Sequence, residues 1–165
     1  IIASSLNLNS EWVTRLYNAA PMHDIGKIGI PDHILLKPGK LDDDEWEVMK
    51  KHVNFGVEIL EGHKSDLLIL AKEIAKSHHE KFDGTGYPYG LAGENIPLSG
   101  RIVAISDVFD ALTSERPYKK AWSTEKAVAL IKDGAGKHFD PQLVEVFINC
   151  LPEILAIKEK YRETF

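Results

Sequence analysis

Apolar residues recur every three or four positions through most of the chain, which is the spacing of amphipathic helices. No segment alternates with a period of two over a useful length, so strands are not predicted. We therefore predict an all-α fold of roughly six to eight helices, from the usual length of a helix. The pattern is clearest in one long predicted helix, where the apolar positions are Trp46, Met49, Val53, Val57 and Leu60.

Polar residues at the predicted helix starts are interpreted as N-caps, because their side chains can accept free backbone N–H groups. Glu45 lies three residues after Asp42, which predicts a reciprocal capping box at that start. Gly134 is predicted to end a helix. The predicted N-caps are Ser10, Asp42, Ser99, Ser123 and Asp140.

Two helical patterns carry histidines on their apolar faces. His52 lies on or beside the stripe of its helix, since it follows Met49 by three residues. His78 follows Ile74 by four residues and therefore continues the buried face of a helix that begins at Asp66. Both imidazoles are thus expected to point inward, whereas His33, His63 and His138 lie at loops or helix ends and are predicted to be on the surface.

A long loop follows the second of these helices. Residues 83–98 contain four glycines and two prolines directly after the pair His78 and His79. Gly84 and Gly86 allow sharp turns and a close approach of the backbone to a ligand. Loops of this length inside a compact domain are usually functional.

Composition places the chain among ordinary globular domains. It has 165 residues, which we interpret as one domain, with 44% apolar and 27% charged residues. The net charge of −5 argues against a general binder of DNA or RNA, which relies on a basic surface, but allows a small phosphorylated ligand. The single Cys150 excludes an internal disulfide and fits a reducing compartment, so we expect a cytoplasmic location. No run of apolar residues is long enough to span a membrane.

Ligand-type residues occupy inward helix positions in four separate parts of the sequence. Burying an ionised carboxylate without a partner is costly, and a shared metal centre would satisfy all of these groups together. Taken singly, Asp107 could instead pair with a lysine, and His52 could be a hydrogen-bonded core residue. The set contains imidazole and carboxylate but no thiolate, which suits Mn, Fe, Zn or Ni. Its members are His23, Asp24, His52, His78, His79 and Asp107.

These residues fall within motifs that resemble a known family. The segment His23–Lys27 resembles the HD-x-G-K signature of HD-superfamily phosphohydrolases. His78–Glu80 followed by Asp83–Pro88 resembles the HD-GYP motif. The resemblance runs from about residue 10 to residue 148 and implies an all-α HD-domain helical bundle that hydrolyses cyclic di-GMP in bacterial signalling. Further matching segments are 29–32, 37–39, 106–114 and 116–119.

The resemblance implies two or three divalent metal ions, with Fe or Mn expected before Zn or Ni. His23, Asp24 and Asp107 would hold one ion. Asp24 would bridge to a second ion, whose further ligands would be His52, His78 and His79.

The resemblance also implies how substrate is held. Lys27, Arg116 and Lys119 would contact its phosphates, with Asp24 and Lys27 taking part in catalysis. The motif loop would shape the pocket and, in this family, can also meet signalling proteins; its expected pocket residues are Asp83, Gly84, Gly86, Tyr87 and Pro88.

One feature departs from the family. Its members carry an earlier helix whose His, often with a Glu, completes the first metal site, whereas residues 1–22 contain no His and Glu11 as their single acid. The chain also starts at Ile1 rather than Met. We therefore expect a domain over 1–165 that lacks its first helix, has a fuller second metal site, and belongs to a longer protein with an upstream sensory or receiver domain.

Two other functions remain open at this point. One is an HD phosphohydrolase that acts on nucleotides or small phosphomonoesters, which the motif loop disfavours. The other is a regulatory module that binds a dinucleotide or protein partners without turnover, which the absent first-helix ligand allows.

Overall fold

The computed structural model describes residues 1–115 and 120–161. Within these ranges the fold is built from α-helices and short 3-10 turns, without a β-strand, so the predicted all-α class is confirmed. These described ranges contain ten helices, where six to eight were predicted, because two of them are single turns. The helices are α1 Ile2–Ser5, α2 Ser10–Ala19, α3 Asp32–Leu35, α4 Asp43–Lys50, α5 His52–Ile59, α6 Asp66–Ser77, α7 Leu98–Thr113, α8 Thr124–Asp133, α9 Pro141–Asn149 and α10 Leu151–Lys160.

Helices α6 and α7 form the centre of the molecule. Helix α6 packs against α2, α5 and α7, and α7 in turn packs against α8 and α9. The hydrophobic effect drives this packing, since both helices bury long apolar faces. None of the helices in the described part of the chain is both long and apolar enough to cross a bilayer. Core residues of the two helices include Leu70, Ala71, Ile74, Ile102, Ile105 and Phe109.

Several predicted helix ends are confirmed. Asp42 and Glu45 form the reciprocal capping box at the start of α4. Ser123 caps the start of α8 and Gly134 caps its end, and Asp140 caps α9 ahead of a proline at its first turn. These motifs could be recognised because each depends on neighbouring residues alone.

Two predicted N-caps are wrong. The cap of α2 is Asn9, whose side-chain oxygen accepts from the backbone N–H groups of Glu11 and Trp12, so Ser10 is already the first helical residue. Helix α7 starts after Pro97, which places Ser99 inside its first turn. Ser99 is fully buried there, and its hydroxyl donates to the carboxylate of Glu73 on α6 instead of capping α7.

The long helix predicted after Asp42 is divided in two. Helices α4 and α5 meet at Lys51, and the predicted apolar stripe divides with them. Val53 and Leu60 are buried in the core, but Trp46 is 45% exposed. Its ring lies instead edge-on to Tyr87 in the motif loop, with 6.1 Å between ring centroids.

A close contact between two backbones places the first histidine beside α5. Residues Ile25–Gly29 form a 3-10 turn that lies directly on α5. A Cβ atom on Gly26 would come within 1.9 Å of the carbonyl oxygen of His52 and 2.3 Å of the amide nitrogen of Gly56. Only a residue without a side chain fits there, and the contact holds the segment with His23 against the start of α5.

We predict opposite outcomes for alanine at these two facing glycines. Gly26→Ala should lower the free energy of unfolding by about 1–3 kcal/mol or more, since backbone atoms must move to admit the methyl group. Gly56→Ala is the matched control: its Cβ would lie 3.5 Å from that of Ala75, an ordinary contact, and alanine favours helix by up to about 1 kcal/mol. Urea unfolding of both variants measures the difference. Equal midpoints would contradict the close-packing account.

Candidate metal centre

All six predicted ligands converge on one region of the structure. His23 and Asp24 come from the segment between α2 and the 3-10 turn, and His52 is the first residue of α5. His78 and His79 follow the end of α6, and Asp107 comes from the middle of α7.

Asp24 lies at the centre of this group. Its Oδ1 atom is 3.4 Å from Nε2 of His52 and 3.7 Å from Nε2 of His78. Its Oδ2 atom is 3.3 Å from Nε2 of His23, which in turn is 3.6 Å from Oδ1 of Asp107. The two oxygens of one carboxylate therefore face two different sets of ligand atoms.

The set on the Oδ1 side is the more complete. One ligand atom from each of Asp24, His52, His78 and His79 lies within 4.8 Å of the others. The Nε2 atoms of His52 and His79 approach to 3.2 Å. Four such atoms at this spacing can surround one cation.

Three of the imidazoles are oriented by backbone carbonyl groups. Nδ1 of His23 contacts the oxygen of Ala20 at 2.8 Å, and Nδ1 of His52 contacts that of Met49 at 2.7 Å. Nδ1 of His78 lies 3.1 Å from the carbonyl oxygens of both Ile74 and Ala75. Nδ1 can donate to these oxygens in each ring, which leaves Nε2 as the free nitrogen facing the centre, and this is the usual arrangement around a metal.

Buried polar atoms without hydrogen-bond partners indicate what kind of group the site would bind. Among the described residues, Nε2 of His23, Oδ1 of Asp24 and Nε2 of His78 are buried and make no hydrogen bond. Unpaired buried polar atoms are rare and require an explanation. All three point into the group of ligands, so a bound cation would satisfy them together, and the residues present fit a divalent metal.

The centre has an open side, where Asp107 and Lys27 are partly exposed next to His23, and a closed side formed by the other three imidazoles. Nearby charges strongly shift the pKa values of groups on the open side. Burial disfavours the charged form of His23, but the carboxylates of Asp107 and Asp24 outweigh it and raise the pKa of His23 to about 10. Burial likewise disfavours the Asp24 carboxylate, but contacts with His23, His78 and Lys27 hold its pKa far below its usual value. The carboxylates of Asp24 and Asp107 thus concentrate negative charge beside His23, which favours positive charge at this position.

The closed side favours neutral imidazoles. Burial, and then repulsion from His78 and His52, lowers the pKa of His79 to about 2. Burial also lowers the pKa of His52. Metal ligands must be deprotonated, so these rings are ready to coordinate without losing a proton.

Burial differs between the two sides. The side chains of His52 and His78 are 2% and 0% exposed, whereas that of Asp107 is 32% exposed. Lys27 lies at the open side and donates from Nζ to Oδ2 of Asp24 at 2.5 Å. A substrate can therefore reach the centre from the side of Asp107 and Lys27.

The motif loop folds over His79. The ring of Tyr87 stacks on that of His79, with centroids 4.8 Å apart and 22° between the planes. Gly84 has a φ of +82°, and a Cβ on Gly86 would lie 2.5 Å from the Cα of Glu80. Both positions therefore require glycine, one for its conformation and one for close approach.

The remaining predicted site residues lie elsewhere. Asp83 is exposed and accepts from the backbone and hydroxyl of Thr85, within the loop itself. Pro88 lines a cavity of about 240 Å³ next to Tyr87, on the side of α4 and α5. Arg116 and Lys119 lie outside the described residues.

Sequence reasoning missed a role for Glu80. This side chain is 2% exposed and accepts from the backbone N–H groups of Tyr89 at 2.8 Å and Leu91 at 3.0 Å. The position of an acid between a histidine pair and a glycine loop was the one signal in the sequence for this role.

The prediction of a surface position for His138 is wrong, since its ring is half-buried and stacks on Phe139, whereas His33 and His63 are exposed as predicted.

Comparison with known proteins agrees with the fold and with the motifs. The HD domain family matches residues 1–143. A cyclic di-GMP phosphodiesterase of Thermotoga maritima is 47% identical over 99% of this chain and 45% of its own length. Two proteins of Vibrio cholerae, a cyclic di-GMP phosphodiesterase and 3'3'-cGAMP-specific phosphodiesterase 2, are 52% and 54% identical over 94% and 86% of this chain.

A solved structure supports the architecture. The crystal structure of a cyclic GMP-AMP specific phosphodiesterase of Vibrio cholerae superposes with a TM-score of 0.69 at 21% identity, covering 95% of this chain and 42% of that one. The chain spans between 27% and 45% of the length of the three relatives above. Family match, sequence identity and shared fold agree: the chain belongs to the HD domain family and carries its HD-GYP motifs.

Proposed function

We propose that this domain is a phosphodiesterase that hydrolyses cyclic di-GMP with two divalent metal ions. The observation that carries the proposal is the carboxylate of Asp24, which presents one oxygen to each of two sets of ligand atoms. Relatives at 47% and 52% identity are named cyclic di-GMP phosphodiesterases, which supports the choice of substrate.

The ligand sets follow from the two sides of Asp24. One ion would be held by His23, Asp24 and Asp107, and the other by Asp24 with His52, His78 and His79. Fe or Mn, and then Zn or Ni, suit this mixture of imidazole and carboxylate. When bound, a metal pair generates hydroxide near neutral pH and stabilises the attacking and leaving oxygens of an in-line displacement.

The chain's own residues position the substrate and move the proton. Lys27 is held at the open side by Asp24, where its ammonium group can offset developing charge or protonate the leaving oxygen. Arg116 and Lys119 would hold the second phosphate, for which the forked guanidinium of arginine is well suited.

The dinucleotide 3'3'-cGAMP is a second candidate substrate. The relative at 54% identity is named as specific for 3'3'-cGAMP, which differs in one base. Both dinucleotides present the same phosphodiester to the metal centre, so hydrolysis of either uses the same ligands. We also propose that residues 83–98 contact regulatory proteins. The domain would belong to a longer cytoplasmic protein with an upstream sensory or receiver domain.

Metal binding should stabilise the fold. We predict that adding Mn²⁺ to chelator-treated protein raises its melting temperature, since a ligand at 100 times its Kd contributes about 2.7 kcal/mol. Asp24→Ala should lose most of this shift, because both ligand sets lose an oxygen. Asp133→Ala, which removes an exposed carboxylate from α8, is the control and should keep the full shift. Equal shifts in all three proteins would contradict the assignment of Asp24.

Hydrolysis should depend on Asp24 and Lys27 in different ways. We predict that Asp24→Ala abolishes turnover of cyclic di-GMP and lowers metal content. Lys27→Met should keep its metal but lose roughly 10²–10⁴-fold in kcat, the usual contribution of a general acid. Chromatography of the products and elemental analysis of the same samples measure both effects.

A substrate whose leaving group needs no proton distinguishes proton transfer by Lys27 from its other possible roles. Bis(p-nitrophenyl) phosphate releases a phenolate that needs no proton, so Lys27→Met should hydrolyse it at close to the wild-type rate. An equal loss on both substrates would reject Lys27 as the acid and leave a role in holding phosphate.

A further inference from the structure

His79 differs from the other imidazoles of the candidate metal centre in how it is held. His23, His52 and His78 each place Nδ1 against a backbone carbonyl oxygen. In the described part of the chain, the hydrogen bond of the His79 ring is to Nε2 of His52, on the side that faces the centre. Among the described residues, no carbonyl or carboxylate holds the far side of this ring, although metal-ligating histidines almost always have such a partner.

An aromatic ring takes the place of that partner. Tyr87 stacks on His79 at 4.8 Å, with only 22° between the planes. The backbone N–H of Tyr87 also donates to the carbonyl oxygen of His79 at 3.2 Å. The hydrogen bond keeps Tyr87 beside His79, and the stacked ring restricts rotation of the His79 side chain, provided that the loop carrying Tyr87 stays in place.

Glu80 holds that loop in place. Its buried carboxylate accepts from the N–H groups of Tyr89 and Leu91, two and four residues beyond Tyr87. On the other side of Tyr87, Gly86 packs against the backbone of Glu80 so closely that a Cβ would lie 2.5 Å from the Cα of Glu80. The loop is thus fixed to Glu80 on both sides of the stacked ring.

We propose that Glu80 is a positioning residue of the metal centre, which acts through Tyr87 to orient the ring of His79. The inference rests on the proposed metal centre and adds a residue that does not itself touch the metal. A carboxylate is suited to this role because each of its oxygens accepts, whereas a glutamine has one accepting oxygen and an amide that would face an N–H donor.

Metal affinity is the direct test, measured by titrating Zn²⁺ into chelator-treated protein against a competing indicator. We expect Glu80→Gln to bind one equivalent roughly 10–100-fold more weakly, the usual loss when a supporting residue of a metal ligand is removed. Tyr87→Ala should show the same loss, whereas Tyr87→Phe keeps the stacking ring and should bind as the wild type does. Glu73→Gln is the control, since this glutamate on α6 accepts a hydrogen bond from Ser99 and none from the loop.

The double variant separates positioning from a general loss of stability. If Glu80 acts through Tyr87, Glu80→Gln with Tyr87→Ala should bind no more weakly than either single variant, because the second change removes nothing further. Independent, multiplying losses would overturn the proposal, as would wild-type affinity in both single variants. Tyr87→Ala alone retains the test if Glu80→Gln fails to fold.

Amide exchange checks the loop directly. The N–H groups of Tyr89 and Leu91 should exchange faster in Glu80→Gln than in Glu73→Gln, and unchanged exchange would overturn the proposed role of Glu80. A wild-type protein that binds no Zn²⁺ would overturn the proposed function together with this inference. A wild type that binds Zn²⁺ with affinity equal to that of Glu80→Gln would overturn this inference alone.

Discussion

The candidate metal centre, on which the proposed activity depends, is built on the contact between one carboxylate and three imidazoles. Asp24 faces His52 and His78 with one oxygen and His23 with the other, at distances too long for strong pairing and short enough for a cation between them. Polar atoms buried in this way are costly without a partner. The fold tolerates the arrangement because a bound cation would satisfy these atoms at once.

A different feature of the fold places each candidate ligand beside Asp24. The absence of a side chain at Gly26 lets the segment of His23 lie on the backbone of α5. Helix α6 ends where His78 completes its buried face, and Asp107 interrupts the apolar surface of the central helix α7. Because α5, α6 and α7 are fixed by the core, the ligand geometry is set by the same packing that stabilises the fold.

Sequence spacing indicates where the candidate ligands lie on their helices, but it shows little of what holds them in place. His52 and His78 could be placed because helical spacing from Met49 and Ile74 carries them inward. The role of Glu80 is only weakly indicated by its position between the histidine pair and the glycine loop, since its partners are backbone N–H groups of a loop with no regular pattern. Ser99 was misplaced for a similar reason: its burial against α6 depends on tertiary packing, and local sequence shows only a serine near a helix start.

The most direct test of the account is a crystal structure of the metal-loaded protein with anomalous data collected at the absorption edge of the bound metal. We predict two peaks, one on each side of the Asp24 carboxylate and about 3.5–4 Å apart, the separation that is typical of two-metal hydrolases. A single peak bound by both oxygens of Asp24, or no peak beside it, would contradict the claim that this carboxylate joins two metal sites.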